Sequence, residues 1–364
     1  MAKKNPVLWA VSAILSIILL INIYANRNEI FFGRDVNRGG KNIIYKIDGA
    51  LQRNFAIYKK MLLINTNQDI KAIDKRGNLV WAVDFPTKNP MINVNGNYAL
   101  VVDRDGTEFM AIKNGKILTH GNVGSEIFTG KINANGYIAL ASEEDGFKCK
   151  VTVYNEFGDE IYKWKISDNY VLDCEVSPNG KQIVAAMVST SDEKIFGSLA
   201  FVDIIEKKII ERPSFVNCIF SSVRYNKNNN VLAIADTAAL YFDKDGKILW
   251  NKNFDGRTLQ SYAFPEGKNI VLFFKNGRNT STLESYGLNG EKKNAHELDF
   301  DVSTVSVNGG VISAAGIRDL ATFTFSGKSK ITLALTSDIR WQGLLPDGKN
   351  ILVVHGNNVD VITP

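Results

Sequence analysis

Cysteine, histidine and proline are scarce in this chain of 364 residues, with three, three and eight copies. Cys149, Cys174 and Cys218 form no C-x-x-C pair and no metal-ligand spacing, which points away from a zinc ribbon or a dithiol redox centre. They are read as buried free thiols, with a Cys149–Cys174 disulfide between strands of one repeat unit as the alternative in an oxidising compartment. His120, His296 and His355 lie far apart with no H-E-x-x-H motif, so each is read as a hairpin or surface residue. G-x-S-x-G and P-loop sequences are missing, as is a local Asp-rich calcium loop. Charge of one sign is lacking too. The net +5 falls to +3 once Lys3 and Lys4 are set aside, and no basic stripe is visible, so nucleic acid is not an expected partner. With 45% hydrophobic and 22% charged residues the chain is neither disordered nor fibrous.

One long apolar run is present. Residues 7–24, VLWAVSAILSIILLINIY, carry no charge, and as a helix they reach ~27 Å, enough for a bilayer core. Residues 1–6 form a short tail with Lys3 and Lys4, which favours a cytoplasmic N-terminus and an outward-facing remainder. Arg27, Arg34, Arg38 and Lys41 weaken that bias, but a hydrophobic segment so near the start normally acts as an export signal. A signal peptide cleaved at Ala25 is the alternative to a signal-anchor. Residues 25–41 read as a polar juxtamembrane linker.

After Tyr24 no amphipathic helical pattern appears, and two families of turns alternate instead. The first family is Asn95-Gly96, Asn135-Gly136, Pro178-Asn179-Gly180, Asn228 to Asn230, Pro265-Glu266-Gly267, Asn308-Gly309 and Pro346-Asp347-Gly348. Each precedes an apolar run, and from Gly96 to Gly348 the spacing averages 42 residues. The second family lies about two strands later: Asp74 to Gly77, Asn114-Gly115, Glu156 to Gly158, Asp245-Gly246, Asn289-Gly290 and Ser326-Gly327. Asn-Gly and Asp-Gly supply the positive φ of tight hairpins, so both families link antiparallel strands. A four-stranded unit repeating every 42 residues or so is the signature of a β-propeller.

With strands named A to D from the centre outward, the first family joins A to B and the second joins C to D. Seven units are complete, and an eighth begins near Ile339 and stops before its D strand. Asn42 to Ile47, NIIYKI, is the expected missing strand, since closing the ring with it removes two sheet edges. The expectation is an all-β, eight-bladed propeller spanning 42–364, with seven blades if Asn42 to Tyr58 pairs otherwise.

Two second-family turns share a longer pattern: Asp74-x-x-Gly77-x-x-x-Trp81 and Asp243-x-x-Gly246-x-x-x-Trp250, with Asn155 to Gly158 followed by Tyr162 as a weaker copy. This resembles the tryptophan-docking motif of quinoprotein-like propellers, which include eight-bladed quinone-dependent dehydrogenases and outer-membrane-assembly lipoproteins. The resemblance implies that Trp81 and Trp250 dock one blade on the next, with Asp74, Gly77, Asp243 and Gly246 shaping the turns. The vicinal cysteine pair that many of those dehydrogenases carry is absent, so no cofactor is expected. The anchor-plus-propeller layout is also similar to an uncharacterised family of membrane-anchored propellers from Gram-positive anaerobes, which brings no activity with it.

The D–A and B–C loops share one propeller face, commonly the binding face. Glu143, Glu144, Asp145, Asp192, Glu193 and Arg257 are the candidate partner contacts there, the acids lying in consecutive units and forming a patch for a basic partner. The segment from Glu211 to Asn217 is another candidate contact. The expected function is a non-catalytic, membrane-anchored extracytoplasmic scaffold for an envelope protein or cell-wall polymer. The alternatives are a propeller enzyme acting on an envelope carbohydrate and a ligand-sensing ectodomain.

Overall fold

The computed structural model describes residues 35–37, 43–47, 54–326 and 329–363. The hydrophobic segment 7–24 lies outside them. Among the described residues no helix is long and apolar enough to cross a membrane. Among the described residues, apart from a single 3-10 turn at Pro265–Gly267, the regular structure is β-strand.

The strands form four-stranded antiparallel units in chain order, here called blades. Blade 1 is Asn54–Tyr58, Met61–Asn65, Asp69–Asp74 and Leu79–Asp84, each strand pairing the next. Blades 2 to 7 follow at residues 89–122, 127–166, 170–216, 220–253, 258–298 and 304–335. Blade 8 takes Trp341–Leu344, Ile351–His355 and Asn358–Ile362 from the C-terminal end of the chain, and its outermost strand is Ile43–Lys46. That strand runs antiparallel to Asn358–Ile362, with Ile43 opposite Asp360, and Ile47 N–H donates to Asn357 O at 2.7 Å.

Apolar patterning explains the order of strands within a blade. B strands such as Tyr98–Arg104 are buried at nearly every position, as expected of strands covered on both faces. D strands such as Leu79–Asp84 and Ile248–Asn253 mix exposed and half-buried positions, because their outer edge meets solvent. The core is divided into eight clusters, each between consecutive blades. Tyr58, Leu63 and Ala72 of blade 1 pack on Val101 and Met110 of blade 2. At the seam Leu352, Val354 and Val359 of blade 8 pack on Leu62, Ile64 and Ile73 of blade 1, with Ile47 among them. The ring is therefore closed by apolar packing.

Two sequence expectations change. Cys149 and Cys174 lie on blades 3 and 4, not in one unit, and all three cysteines are buried free thiols. Burial raises each thiol above its ordinary value. The linker 25–41 contains a short strand, Asp35–Asn37, that pairs in parallel with the outer strand of blade 7, Ser329–Leu335. The segment after Glu211 also folds back as a strand, because Ser214–Val216 bonds to Lys194–Asp203 beyond the D strand Lys208–Glu211.

Candidate functional site

The indole of Trp81 lies against the C–D turn of blade 2, where a Cβ on Gly115 would stand 2.9 Å from Nε1. Trp250 lies against blade 6 in the same way. A Cβ on Gly290 would approach its ring to 2.9 Å, and φ of +77° already favours glycine there. Trp250 stacks on Tyr241 at 5.4 Å and donates from Nε1 to Leu288 O at 2.9 Å, whereas Trp81 Nε1 is buried with no acceptor. Asp74 and Asp243 cap their own turns by accepting from the N–H groups of Arg76 and Asn78 and of Asp245 and Lys247. These residues join blades and turn the chain.

The A strands ring a central channel, where they splay and leave backbone groups that acidic and amide side chains bridge. Asp173 Oδ2 accepts from Val223 N–H at 2.9 Å and Glu175 Oε2 from Tyr225 N–H at 3.0 Å, both from blade 4 to blade 5. Asn93 Oδ1 accepts from Ile132 N–H at 3.1 Å between blades 2 and 3. Lys131 of blade 3 donates to Asp173 and to Val223 O. Lys131, Asp173 and Glu175 are all buried, and such charges persist only when paired and hydrogen-bonded. Burial pushes the Glu175 carboxyl above its ordinary value against the attraction of Arg224, 4.0 Å away, and Lys131.

At the A–B end the channel widens into a cavity of about 740 Å³. Arg224, Lys227, Tyr262 and Asn95 line it, with Tyr225, whose buried hydroxyl has no partner. The lining holds one carboxylate, Glu175, and no His, Cys or Ser. A glycosidase-type mechanism needs two carboxylates flanking the bond to be cut. Among the described residues no group of three His, Cys, Asp or Glu is placed to hold a metal ion.

On the opposite face the candidate contacts lie on blades 3 and 4. The B and C strands of blade 4, Gln182–Ser191 and Lys194–Asp203, are ten residues each and form a hairpin longer than its neighbours. Asp192 and Glu193 occupy its tip with φ of 49° and 60°, the two-residue turn with both φ positive that suits a hairpin, and both side chains are exposed. Glu143 and Asp145 are exposed in the adjoining B–C loop of blade 3. Glu144 between them accepts from Lys150 and Lys165, which hold its carboxyl at about 2, so its charge is compensated. Arg257, also expected on this face, is committed to Glu284 at 3.1 Å and lies 3.9 Å over the Phe274 ring. Sequence reading missed the apolar contribution: Phe147, Tyr170, Leu172, Ile195 and Val216 are exposed beside the acids. A cleft of about 440 Å³ between Asp168, Thr190, Arg212 and Ser214 adjoins them. The signal for Val216 was the extra segment after Glu211; Tyr170 and Leu172 alternate along their strand like core residues.

The described strands form a β-propeller. The chain belongs to the family described as a family of unknown function, DUF5711, whose model matches residues 42–363. No curated protein matches it. Among solved structures it is similar to Sqt1 of Chaetomium thermophilum bound to the N-terminus of the ribosomal protein L10, at 13% identity and TM-score 0.63, covering 89% of this chain and 100% of that one. It is similar to the C-terminal WD40 domain of Sif2 at 12% identity and TM-score 0.63, covering 89% and 96%. Hydrazine synthase of Kuenenia stuttgartiensis matches at 13% identity and TM-score 0.50, covering 91% and 98%. At these identities the likeness concerns fold alone.

Proposed function

We propose that this propeller is a non-catalytic interaction scaffold, held at the outer face of the membrane by residues 7–24, that takes a basic protein segment on the loop face of blades 3 and 4. One observation carries the reading: exposed Tyr170, Leu172, Ile195 and Val216 share that face with Glu143, Asp145, Asp192 and Glu193, acids that form no ion pair among the described residues. Large apolar side chains next to uncompensated charge of one sign suit a partner with apolar anchors and a basic rim. The Sqt1 propeller, bound to a protein N-terminus, is a precedent for a propeller holding a chain segment. The single carboxylate in the channel cavity favours this reading over hydrolysis of an envelope carbohydrate.

The test is a photo-crosslinking amino acid at Tyr170 or Ile195 in the native envelope, with Lys60 on the other face as control. A protein crosslinked from the first two sites, and lost when Asp192→Lys and Glu193→Lys are combined, is the expected result. Equal capture from Lys60, or capture unaffected by the charge reversal, refutes the assignment.

A further inference from the structure

The face opposite the proposed partner site differs from it in charge. Its A–B turns carry Lys59, Lys60, Lys181, Lys227, Lys268 and Lys349, all exposed, against only Glu266 and Asp347. Lys60, Lys181, Lys227 and Lys349 form no ion pair among the described residues. The C–D turns on the same face begin D strands with exposed apolar side chains. Leu79, Ile117, Phe157, Ile205, Leu249 and Ile43 come one each from blades 1, 2, 3, 4, 5 and 8, with Phe157 at 73% and Ile205 at 67% exposure. The C–D turns mix both signs of charge, so the basic excess sits at the centre and the apolar side chains at the rim.

Blade 8 takes up the chain on this side. A D strand runs from the C–D turn towards the D–A loop, so Ile43, the first residue of the D strand of blade 8, stands at the C–D end. Asp35–Asn37 also runs parallel to the D strand of blade 7, beside its last residues Leu333–Leu335 near the B–C loop, so the chain before it comes from the C–D direction. Ten residues, 25–34, separate the apolar run from Asp35. So short a separation keeps the propeller close to the anchored segment, and weak contacts then suffice to settle one face on the surface.

We propose that the A–B and C–D turn face lies flat on a bilayer containing anionic lipid, its lysines at the headgroups and its apolar rim in the interfacial region. The loop face of blades 3 and 4 is thereby turned away from the membrane. The proposal rests on anchoring by residues 7–24.

Full-length protein reconstituted in vesicles of phosphatidylcholine with phosphatidylglycerol tests it. Single cysteines are introduced by Phe157→Cys or Ile205→Cys on one face and Asp145→Cys or Asp192→Cys on the other, and labelled with a fluorophore; the native thiols are buried. Quenching by headgroup spin-labelled lipid is expected to be roughly threefold stronger at 157 and 205 than at 145 and 192, as an interfacial depth of about 5–10 Å requires. Combining Lys60→Glu with Lys181→Glu is expected to reduce that difference. Equal or reversed quenching in protein that floats with vesicles after an alkaline wash overturns the docking and leaves the anchor standing. Protein that fails to float overturns the anchor and the docking with it.

Discussion

Replacing Glu284 by Gln tests how a buried carboxylate stabilises blade 6. Glu284 is 4% exposed and accepts from Arg257 at 3.1 and 3.4 Å, from Lys292 and from the Tyr286 hydroxyl. Burial pushes its carboxyl up, but the bonds from Lys292, Tyr286 and Arg257 outweigh burial and hold it at about 2. Against an unfolded value near 4.3, that depression corresponds to about 3 kcal/mol of stability at neutral pH. Because the folded value is the lower one, the stabilisation is complete above pH ~4.5 and is lost as pH falls towards 2. Glu284→Gln keeps the shape and removes the charge, while Arg257 retains its place over Phe274. In urea unfolding at pH 7 the variant is expected to lose about 3 kcal/mol relative to the parent, and about half of that difference is expected to remain at pH 3. A difference that is the same at both pH values would refute a charged Glu284 as its source.

Three further outcomes follow from contacts between blades and from burial. Trp250→Phe is expected to cost about 1 kcal/mol more than Trp81→Phe in urea unfolding, since only Trp250 Nε1 has an acceptor to lose; equal costs would count against that bond. Gly77→Ala places a Cβ 1.8 Å from Ile44 O at φ +87° and is expected to cost more than 2 kcal/mol, whereas Gly124→Ala, at φ +76° in open space, costs about 1. Similar melting shifts for the two would show that Ile43–Lys46 does not pack on blade 1. Cys149, Cys174 and Cys218 are expected to resist a thiol reagent in the folded protein and to react together on unfolding; fast reaction of any one under native conditions contradicts its burial.

Turn chemistry makes the repeat legible in the sequence alone. Asn95-Gly96, Asn135-Gly136 and Asp245-Gly246 demand positive φ within a few bonds, and Gly96, Gly136 and Gly246 have it. A strands expected to begin near Asn54, Ile127 and Val171 begin at Asn54, Ile127 and Tyr170 for the same reason. The candidate interface is only partly readable. Asp192 and Glu193 stand at an exposed hairpin tip, but Arg257 and Glu144 are consumed by partners, Glu284 for the one and Lys150 with Lys165 for the other, whose positions local patterning does not encode.

The sequence by itself determined the class of unit, the number of turns and the residues that bend them, because hairpin turns depend on neighbours in the chain. Tertiary structure decided which strand of blade 8 meets which of blade 1, which carboxylates in the channel bind the next A strand, and how charge divides between the faces. Those features arise from residues far apart in sequence that the closing of the ring brings within bonding distance, such as Lys131, Asp173 and Val223.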